Sequence, residues 1–245
     1  MTVRVAMWSG PRNISTAMMR SFGARPRTVV VDEPLYAHYL ATTGLDHPGR
    51  AEILASQPQR WPDAVAGLLA PIDADVFYQK HMTHHLLTTI GRDWLAEVSN
   101  AYLIRDPAYV VASYAKVRGE PTLEDLGYPQ QVEIFRGYGG PVVDAADVLR
   151  DPAGTLSALC AALGLPWDPA MLSWPAGRRD TDGVWAPHWY AAVERSTGFA
   201  PPHPRPADVP DHLRPLVERA RPLYEELAAV ALGRGPDDPG RVDQK

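Results

Sequence analysis

The 245-residue chain has little of three things: cysteine, long apolar runs and positive charge. It has one cysteine, Cys160, which cannot form an internal disulfide, so we expect a cytoplasmic protein. The apolar helical stretch around Cys160 indicates a core residue. No run of about 18 apolar residues is present, so we expect no membrane-spanning helix, and the short apolar run after Met1 does not predict a signal peptide. The net charge of −5 argues against a protein that binds nucleic acid by general phosphate attraction.

Strand-like and helix-like segments alternate along the chain. This order predicts an α/β fold of three layers, with a central parallel sheet between helices. Predicted strands cover residues 3–8, 28–31, 76–79, 101–105 and 142–143. Predicted helices cover residues 14–22, 34–40, 50–55, 62–69, 107–116, 129–138, 152–163 and 212–232. We predict loops at 118–129 and 200–210, a single domain over 1–232 and a disordered tail over 233–245.

The first predicted strand leads into a short polar segment, residues 10–13, and a helix is expected from Ile14. A strand–loop–helix junction directs several backbone N–H groups and the positive end of the helix dipole at one small volume. Arg12 adds a fixed charge with a bidentate fork, and Ser15 and Thr16 add hydroxyl donors. The segment suits a phosphate or sulfate group, although a capped turn without a ligand would show the same pattern.

This junction differs from an ordinary ATP-binding loop. A Walker loop reads G-x-x-x-x-G-K-S/T, and its lysine reaches the β- and γ-phosphates. Here Gly10 is followed five and six positions later by Ser15 and Thr16, without a Gly-Lys pair before them. The nearest cation is Arg12, in the middle of the loop. A P-loop small-molecule kinase is therefore an alternative with little support.

A second strand–helix junction lies at Arg105. The strand 101–105 ends there, Asp106 is typical of a helix N-cap, and Pro107 is typical of the first helical position. Ser113 follows Arg105 by eight positions. Because ligands bind beyond the carboxyl ends of strands in open parallel sheets, we expect Arg105 and Ser113 to face the same crevice as the first junction.

These segments resemble motifs of the sulfotransferases. P-R-x-x-S-T, at residues 11–16, resembles their 5′-phosphosulfate loop, and R-D-P-x-x-x-x-x-S, at residues 105–113, resembles their 3′-phosphate motif. Residues 142–165 are similar to a helical region of the same family. The resemblance implies a P-loop, nucleoside-triphosphate-hydrolase-like fold, with 3′-phosphoadenosine 5′-phosphosulfate (PAPS) as donor and 3′-phosphoadenosine 5′-phosphate (PAP) as product. The donor-binding residues that it implies are Pro11, Arg12, Asn13, Ile14, Ser15, Thr16, Arg105 and Ser113.

The chain departs from the family pattern mainly around the adenosine. Arg12 replaces the lysine of many members, although arginine is familiar in bacterial carbohydrate-type members such as trehalose sulfotransferase. Ile14 stands where glycine is usual. Ala17 lies near the position at which cytosolic members stack an aromatic residue on adenine. The C-terminal Arg-Lys-Gly motif of the cytosolic members has no clear counterpart here.

Sulfuryl transfer resembles phosphoryl transfer, an in-line displacement in which the protein positions groups and neutralises charge. The transferred group carries less negative charge than a terminal phosphate, so cationic side chains such as Arg12 can suffice, and we predict no metal. The hydroxyl of a small-molecule acceptor needs a base near its proton. These requirements make Arg12 a catalytic candidate and direct the search for a base to the strand ends.

Glu33 follows the second predicted strand, at the edge where residues of a crevice belong. In carbohydrate-type sulfotransferases a glutamate in this region acts as the base. The resemblance therefore implies that role for Glu33, with Asp32 as the less favoured substitute. A carboxylate before Pro34 would also suit the start of a helix, where the dipole favours negative charge.

The third predicted strand is followed by Lys80 and His81. Cytosolic sulfotransferases carry K-x-H here, and the resemblance implies that Lys80 contacts the sulfate or the leaving group and that His81 is a base. His81 is displaced by one position, which would turn it to the other side if the strand continued. His84 and His85 complete an H-x-x-H-H pattern without a carboxylate or cysteine at ligand spacing, so a pocket wall or a structural role is favoured over a metal site.

The last candidate segment, residues 185–199, is aromatic with polar tips. The family closes a late loop over the nucleotide, so the resemblance implies that Arg195 or Ser196 contacts the 3′-phosphate. The alternative is an aromatic cluster that seals the C-terminal helix to the core. The acceptor pocket is expected to use loops 36–48 and 118–129, whose aromatic residues and histidines favour a ring-bearing or polyol acceptor.

Together the segments predict a sulfotransferase of small-molecule or secondary metabolism. It would move a sulfuryl group from PAPS to a hydroxyl of a small molecule, with Glu33 or His81 as the base. The alternatives are a non-catalytic nucleotide- or sulfate-binding module, a kinase and, with little support, a pyridoxal-phosphate enzyme that uses Lys80. No nucleic-acid or membrane partner is predicted.

Overall fold

Five parallel strands form the centre of the computed structural model, which describes residues 2–202 and 206–233. The order across the sheet is β2-β3-β1-β4-β5, so the first strand of the chain lies in the middle. The strands are β1 (Val3–Ser9), β2 (Thr28–Asp32), β3 (Val76–Met82), β4 (Ser99–Ile104) and β5 (Val142–Asp144). All pairings between them are parallel, as the alternation of strands and helices predicts.

Helices connect the strands and cover both faces of the sheet. Those of the described residues are α1 (Ser15–Gly23), α2 (Tyr36–Thr43), α3 (Arg50–Ser56), α4 (Trp61–Leu69), α5 (Pro107–Arg118), α6 (Leu123–Leu126), α7 (Tyr128–Tyr138), α8 (Ala145–Arg150), α9 (Pro152–Ala162), α10 (Ala186–Trp189), α11 (Ala191–Glu194) and α12 (Arg214–Ala228). Short 3₁₀ turns lie at Thr83–His85, Asp93–Glu97, Pro169–Leu172 and Asp211–Leu213. The predicted three-layer α/β/α architecture is confirmed.

The central strand β1 shows why both faces are covered. Its successive side chains point to opposite faces, so an apolar run buries residues on both sides. Val5 and Met7 pack with α1, α8 and α9, whereas Ala6 and Trp8 pack with α4, α7 and α12. A third apolar cluster joins α2, α3 and α10. The candidate site lies at the carboxyl ends of the strands, next to the helices that cover the two faces of the sheet.

The prediction of a loop over 118–129 is wrong in its second half, where α6 and the start of α7 lie. A capping box explains α6, because Thr122 Oγ accepts from the Asp125 N–H and the Asp125 carboxylate accepts from the Thr122 N–H. This helix closes against the first junction. A Cβ on Gly10 would collide with the backbone carbonyl of Leu126.

Two further boundaries differ from the predictions. The predicted helix 34–40 is present as α2, with both ends shifted toward the C-terminus, so residues 36–43 of the predicted acceptor loop 36–48 are helical. The predicted helix 212–232 divides into a 3₁₀ turn and α12, which ends at Ala228 because Ala231 then forms a bridge with Val142. Residues 234–245 of the predicted tail lie outside the described residues, and the single domain stays a prediction. Within the described ranges, no helix has the length and apolarity needed to cross a membrane.

Candidate active site

A cavity of about 450 Å³ opens at the carboxyl ends of four neighbouring strands. Residues 11–17 follow β1, Glu33 follows β2, Lys80 lies near the end of β3, and Arg105 follows β4. Parallel sheets carry their ligand sites at this edge, and the volume lies within the roughly 300–1,000 Å³ of small-molecule sites. The last candidate segment of the sequence, residues 185–199, is called the late segment below. It also lines the cavity, through Trp189, Tyr190, Ala192, Val193, Ser196, Gly198 and Phe199.

The β1–α1 junction (residues 10–16) has an unusual backbone. Arg12 and Ile14 both lie in the left-handed region, with φ of 59° and 43°. This is costly for a β-branched residue, and such strain collects at ligand sites. Helix α1 begins at Ser15, one residue later than predicted, and its N-cap Ile14 supplies no side-chain cap. The first turn of α1 is therefore suited to an anion, which would meet its N–H groups.

Hydrogen bonds join the two sequence motifs. Arg12 Nε donates to Ser113 Oγ at 2.9 Å, and Arg105 Nη1 donates to the Arg12 carbonyl at 2.7 Å. Asn13 Nδ2 donates to the Leu103 carbonyl at 2.5 Å, which fixes the β1–α1 junction to β4. The structure thus places the junction, Arg105 and Ser113 around one cavity; their roles toward a ligand stay predictions.

Arg105 is positioned by its own neighbours. Tyr128 Oη donates to the Arg105 carbonyl at 2.5 Å. Asp106 caps α5 and forms a double ion pair with Arg221, at 2.6 and 3.1 Å, so this adjacent carboxylate is engaged elsewhere. Burial, with a smaller contribution from Arg12, lowers the pKa of Arg105. Two arginines therefore share one end of the cavity, and an anionic ligand would offset their mutual repulsion.

The other end of the cavity centres on Lys80, which is 1% exposed. Its Nζ lies 2.6 Å from Glu33 Oε1, 2.8 Å from Asp32 Oδ1 and 2.9 Å from Tyr190 Oη. Burial alone would lower the pKa of Lys80, but Asp32 and Glu33 outweigh it and raise this pKa well above its usual value. Lys80 is therefore an ammonium shared by two carboxylates.

Asp32 and Tyr190 fasten the late segment to this centre. Tyr190 Oη donates to Asp32 Oδ2 at 2.6 Å, and the Gly183 N–H donates to the same oxygen at 3.1 Å. Trp185 Nε1 donates to Tyr190 Oη at 3.2 Å. Burial and the negative charge of Asp32 raise the pKa of Tyr190, so this hydroxyl keeps its proton. The sequence offered Asp32 only as a substitute base and did not indicate this role of Tyr190.

Glu33 is held in a strained position at the cavity wall. Its φ is 42°, its N–H donates to the Lys80 carbonyl, and its side chain is 10% exposed. The first turn of α2 contains no acidic residue, so the alternative role at a helix start does not apply. Glu33 Oε1 contacts Lys80, and Oε2 lies 4.0 Å from His85 Nδ1. Glu33 and Lys80 both line the cavity, so the carboxylate can meet a ligand while it contacts the ammonium.

The structure removes His81 as a candidate base. Strand β3 continues to Met82, so His81 points to the opposite face from Lys80. Its ring stacks on Trp8 at 4.3 Å, its Nε2 lies 3.2 Å from Gln79 Oε1, and it does not line the cavity. Burial, and then the charge of Lys80, lowers the pKa of His81 from 6.5 to about 3. The structural alternative for His81 is therefore the better interpretation.

Ser196 lines the cavity and Arg195 does not. Ser196 Oγ accepts from Trp174 Nε1 at 3.1 Å and donates to the Val193 carbonyl at 2.7 Å. His84 and His85 line the cavity as aromatic walls. Among the described residues, no group of three or more His, Cys, Asp or Glu is arranged to bind a metal.

A family model described as "Sulfotransferase domain" matches residues 3–231. The chain belongs to the sulfotransferase family. This membership supports sulfotransfer in general, and hence a transferase, without identifying the donor or the acceptor.

Two curated relatives come from Arabidopsis thaliana. Branched-chain-amino-acid aminotransferase-like protein 1 is 38% identical over 226 residues, which are 90% of this chain and 40% of the relative. Branched-chain-amino-acid aminotransferase-like protein 2 is 34% identical over the same shares. This sulfotransferase chain thus spans about 40% of the length of these relatives.

Two solved structures share the fold. The sulfotransferase domain from the curacin biosynthetic pathway is 15% identical, with 96% of this chain and 93% of that chain covered and a TM-score of 0.53. The sulfotransferase domain from the Synechococcus PCC 7002 olefin synthase is 14% identical, with 93% and 95% covered and a TM-score of 0.55. At such identities the likeness concerns the fold alone, and it confirms the predicted P-loop sulfotransferase fold.

Proposed function

We propose that the protein transfers a sulfuryl group from PAPS to a hydroxyl of a small molecule. One observation carries the proposal: the β1–α1 junction, Arg105 and Ser113 meet at a cavity that also holds a buried lysine–glutamate pair. The β1–α1 junction, Arg105 and Ser113 suit the binding of anions, and the lysine–glutamate pair suits the removal of a proton. Both are needed for sulfuryl transfer, and family membership supports that reaction class.

The residues present fit the donor. The N–H groups at the start of α1, together with Arg12, Ser15 and Thr16, would bind the 5′-phosphosulfate. Arg105 and Ser113 would bind the 3′-phosphate, and the two phosphate sites would share Arg12 through its bond to Ser113. PAPS supplies the sulfuryl group, and its PAP portion stays in these contacts.

Glu33 is the base in this proposal. Its carboxylate lines the cavity and can accept the hydroxyl proton of the acceptor, while Lys80 keeps a positive charge beside it. Asp32 and Tyr190 also contact Lys80 Nζ, at 2.8 and 2.9 Å, and hold it in place. Arg12 and Lys80 together offset the charge that develops at the reacting centre.

Two alternatives lose support at specific positions. A kinase would need the Gly-Lys pair that the β1–α1 junction lacks. A pyridoxal-phosphate enzyme would need a neutral amine on Lys80, whereas Asp32 and Glu33 hold this amine as an ammonium. An absorbance scan for a yellow cofactor checks the second alternative.

Ligand-dependent thermal stability tests the donor. The melting temperature should rise with PAP and rise less with 5′-AMP, which lacks the 3′-phosphate, because only PAP engages Arg105. ATP with Mg²⁺ should give no larger shift than 5′-AMP. A larger shift with ATP and Mg²⁺ than with PAP would favour the kinase.

Conversion of PAPS to PAP separates an enzyme from a binding module. Wild type should release PAP from PAPS in the presence of a hydroxyl acceptor, and Glu33→Gln should bind PAP but release far less of it. A module would bind PAP equally well in both forms and turn over neither.

A further inference from the structure

The strand order divides the cavity into a donor side and an acceptor side. The proposed donor contacts follow β1 and β4, whereas Glu33 and Lys80 lie at the ends of β2 and β3. In the sheet order β2-β3-β1-β4-β5, these two pairs of strands lie on opposite sides of the β1–β3 boundary. Since Glu33 must reach the acceptor proton, the acceptor enters over β2 and β3. This step rests on the proposed function.

The acceptor side is walled mainly by aromatic rings. Tyr36 stacks on His85 with ring centroids 4.5 Å apart and planes 13° from parallel, and His84 meets His85 edge-on at 4.4 Å. The late segment contributes Trp189 and Tyr190 to the same cavity, and both pack in one apolar cluster with Tyr36. Met82, the last residue of β3, adds a polarisable thioether to the same wall. Such a wall offers ring faces and edges to a ligand.

The two tyrosine hydroxyls of this wall are already hydrogen-bonded within the protein. Tyr36 Oη lies 2.8 Å from His47 Nδ1. Tyr190 Oη donates to Asp32 and accepts from both Lys80 and Trp185. A ligand rich in hydroxyls would therefore give up hydrogen bonds to water without replacement here, whereas a ring with a single hydroxyl would direct that group to Glu33.

We infer that the acceptor is a flat aromatic alcohol with one reactive hydroxyl, and that the site discriminates against polyols such as sugars. The aromatic wall binds the ring face, and Trp189 is a specificity-determining residue. In the reaction, the acceptor oxygen forms a bond to the sulfur, the bond from that sulfur to the PAP oxygen breaks, and the acceptor proton passes to Glu33. No further reactant is required.

The test compares three alcohols in transfer of radiolabelled sulfate from PAPS: 2-naphthol, its saturated counterpart decahydro-2-naphthol, and myo-inositol. Each buried hydroxyl without a partner lowers kcat/KM by about tenfold, so 2-naphthol should exceed myo-inositol by at least about 100-fold. Loss of ring stacking should place decahydro-2-naphthol roughly 2- to 10-fold below 2-naphthol. PAP affinity is measured first by calorimetry.

Variants locate the discrimination. Trp189→Ala should lower kcat/KM for 2-naphthol by about tenfold through KM, and Trp189→Phe should restore most of it, because the ring face returns. PAP affinity should be unchanged in both variants. Trp167→Ala is the matched control, since Trp167 is partly buried against the α1–α9 side of the core and does not line the cavity.

The outcomes separate the two levels of the proposal. If PAP fails to bind, the proposed function fails and this inference fails with it. If PAP binds but myo-inositol matches or exceeds 2-naphthol, or neither is sulfated, the aromatic acceptor is wrong while the donor site stands. Equal effects of Trp189→Ala on all three alcohols would likewise contradict the inference.

Discussion

The two ends of the cavity handle charge in opposite ways. Around β1 and β4, Arg12 and Arg105 contact a hydroxyl and a backbone carbonyl, and the carboxylate of Asp106 is paired with Arg221 instead. Around β2 and β3, Lys80 is surrounded by Asp32 and Glu33 and is almost fully buried. The first end offers positive charge to a ligand, and the second end neutralises its own.

This difference indicates a division of labour. Arginine side chains form strong, charge-assisted hydrogen bonds with anions, so affinity for the donor should depend on Arg12 and Arg105. Lys80 faces two carboxylates, so if all three groups are charged the cluster keeps one negative charge in excess. This excess negative charge favours the uptake of a proton by a carboxylate, as a base requires. Substitutions at the donor end should therefore change binding, and substitutions at the acceptor end should change turnover and stability.

The largest effect should come from Glu33→Gln. The amide keeps the shape but cannot accept the proton, so kcat should fall by about 10²–10⁴-fold. PAP affinity should stay within about twofold, because the donor contacts lie over β1 and β4. Steady-state kinetics and calorimetry measure the two quantities. Glu124→Gln, an exposed carboxylate, is the control; a kcat loss shared by both variants would contradict the assignment.

Lys80→Ala should strongly destabilise the fold. Removing the ammonium leaves Asp32 and Glu33 buried without their counter-ion, which costs about 3–5 kcal/mol. Urea unfolding of Lys80→Ala and of Lys116→Ala gives the comparison, since Lys116 is exposed and should change stability by no more than about 0.5 kcal/mol. Wild-type stability in Lys80→Ala would show that the carboxylates do not depend on this pair.

His81 should make stability depend on pH although it lies outside the cavity. Its pKa is lowered from 6.5 to about 3 by burial and by Lys80. Below pH 6.5 the unfolded chain therefore binds a proton at His81 that the folded chain does not bind. The free energy of unfolding is therefore lost as the pH falls from 6.5 toward 3.

Unfolding is measured between pH 7 and about pH 5, where few carboxylates titrate, and the comparison of variants separates His81 from the other histidines. His81→Gln should remove a slope of about 1 kcal/mol per pH unit, whereas the exposed His188→Gln should keep it. An unchanged slope in His81→Gln would show that the ring is not buried in the neutral form.

The smallest effect should come from Ser113→Ala, at the donor end. It removes one hydrogen bond to Arg12 and one proposed phosphate contact, worth about 0.5–1.5 kcal/mol each. PAP binding should weaken by several fold, with kcat nearly unchanged and the unfolding free energy lowered by no more than about 1.5 kcal/mol, the worth of the bond to Arg12. If Ser113→Ala unfolded readily but bound PAP with wild-type affinity, the proposed division, in which the donor end determines binding, would be wrong.

Local patterns explain how much of this site is readable in the sequence. The apolar alternation of β1, the cap at Asp106 and the spacing from Arg105 to Ser113 are short-range features, and they predict the parallel sheet and the meeting of the two motifs. The ion-pair network is long-range: Tyr190 lies 110 positions from Lys80, and no spacing rule connects them. The position of His81 depends on a smaller detail: β3 continues three residues past its predicted end, to Met82, and this turns the His81 side chain away from the cavity.

Calorimetric titration with PAP and with 5′-AMP, on wild type and Arg105→Ala and without Mg²⁺, tests most directly whether the two motifs form one donor site. Wild type should prefer PAP by about 100-fold, because the 3′-phosphate makes charge-assisted contacts. Arg105→Ala should lose that preference while its affinity for 5′-AMP stays the same, and the exposed Arg214→Ala should keep it. A preference for PAP that survives in Arg105→Ala, or no binding to wild type, would contradict the account.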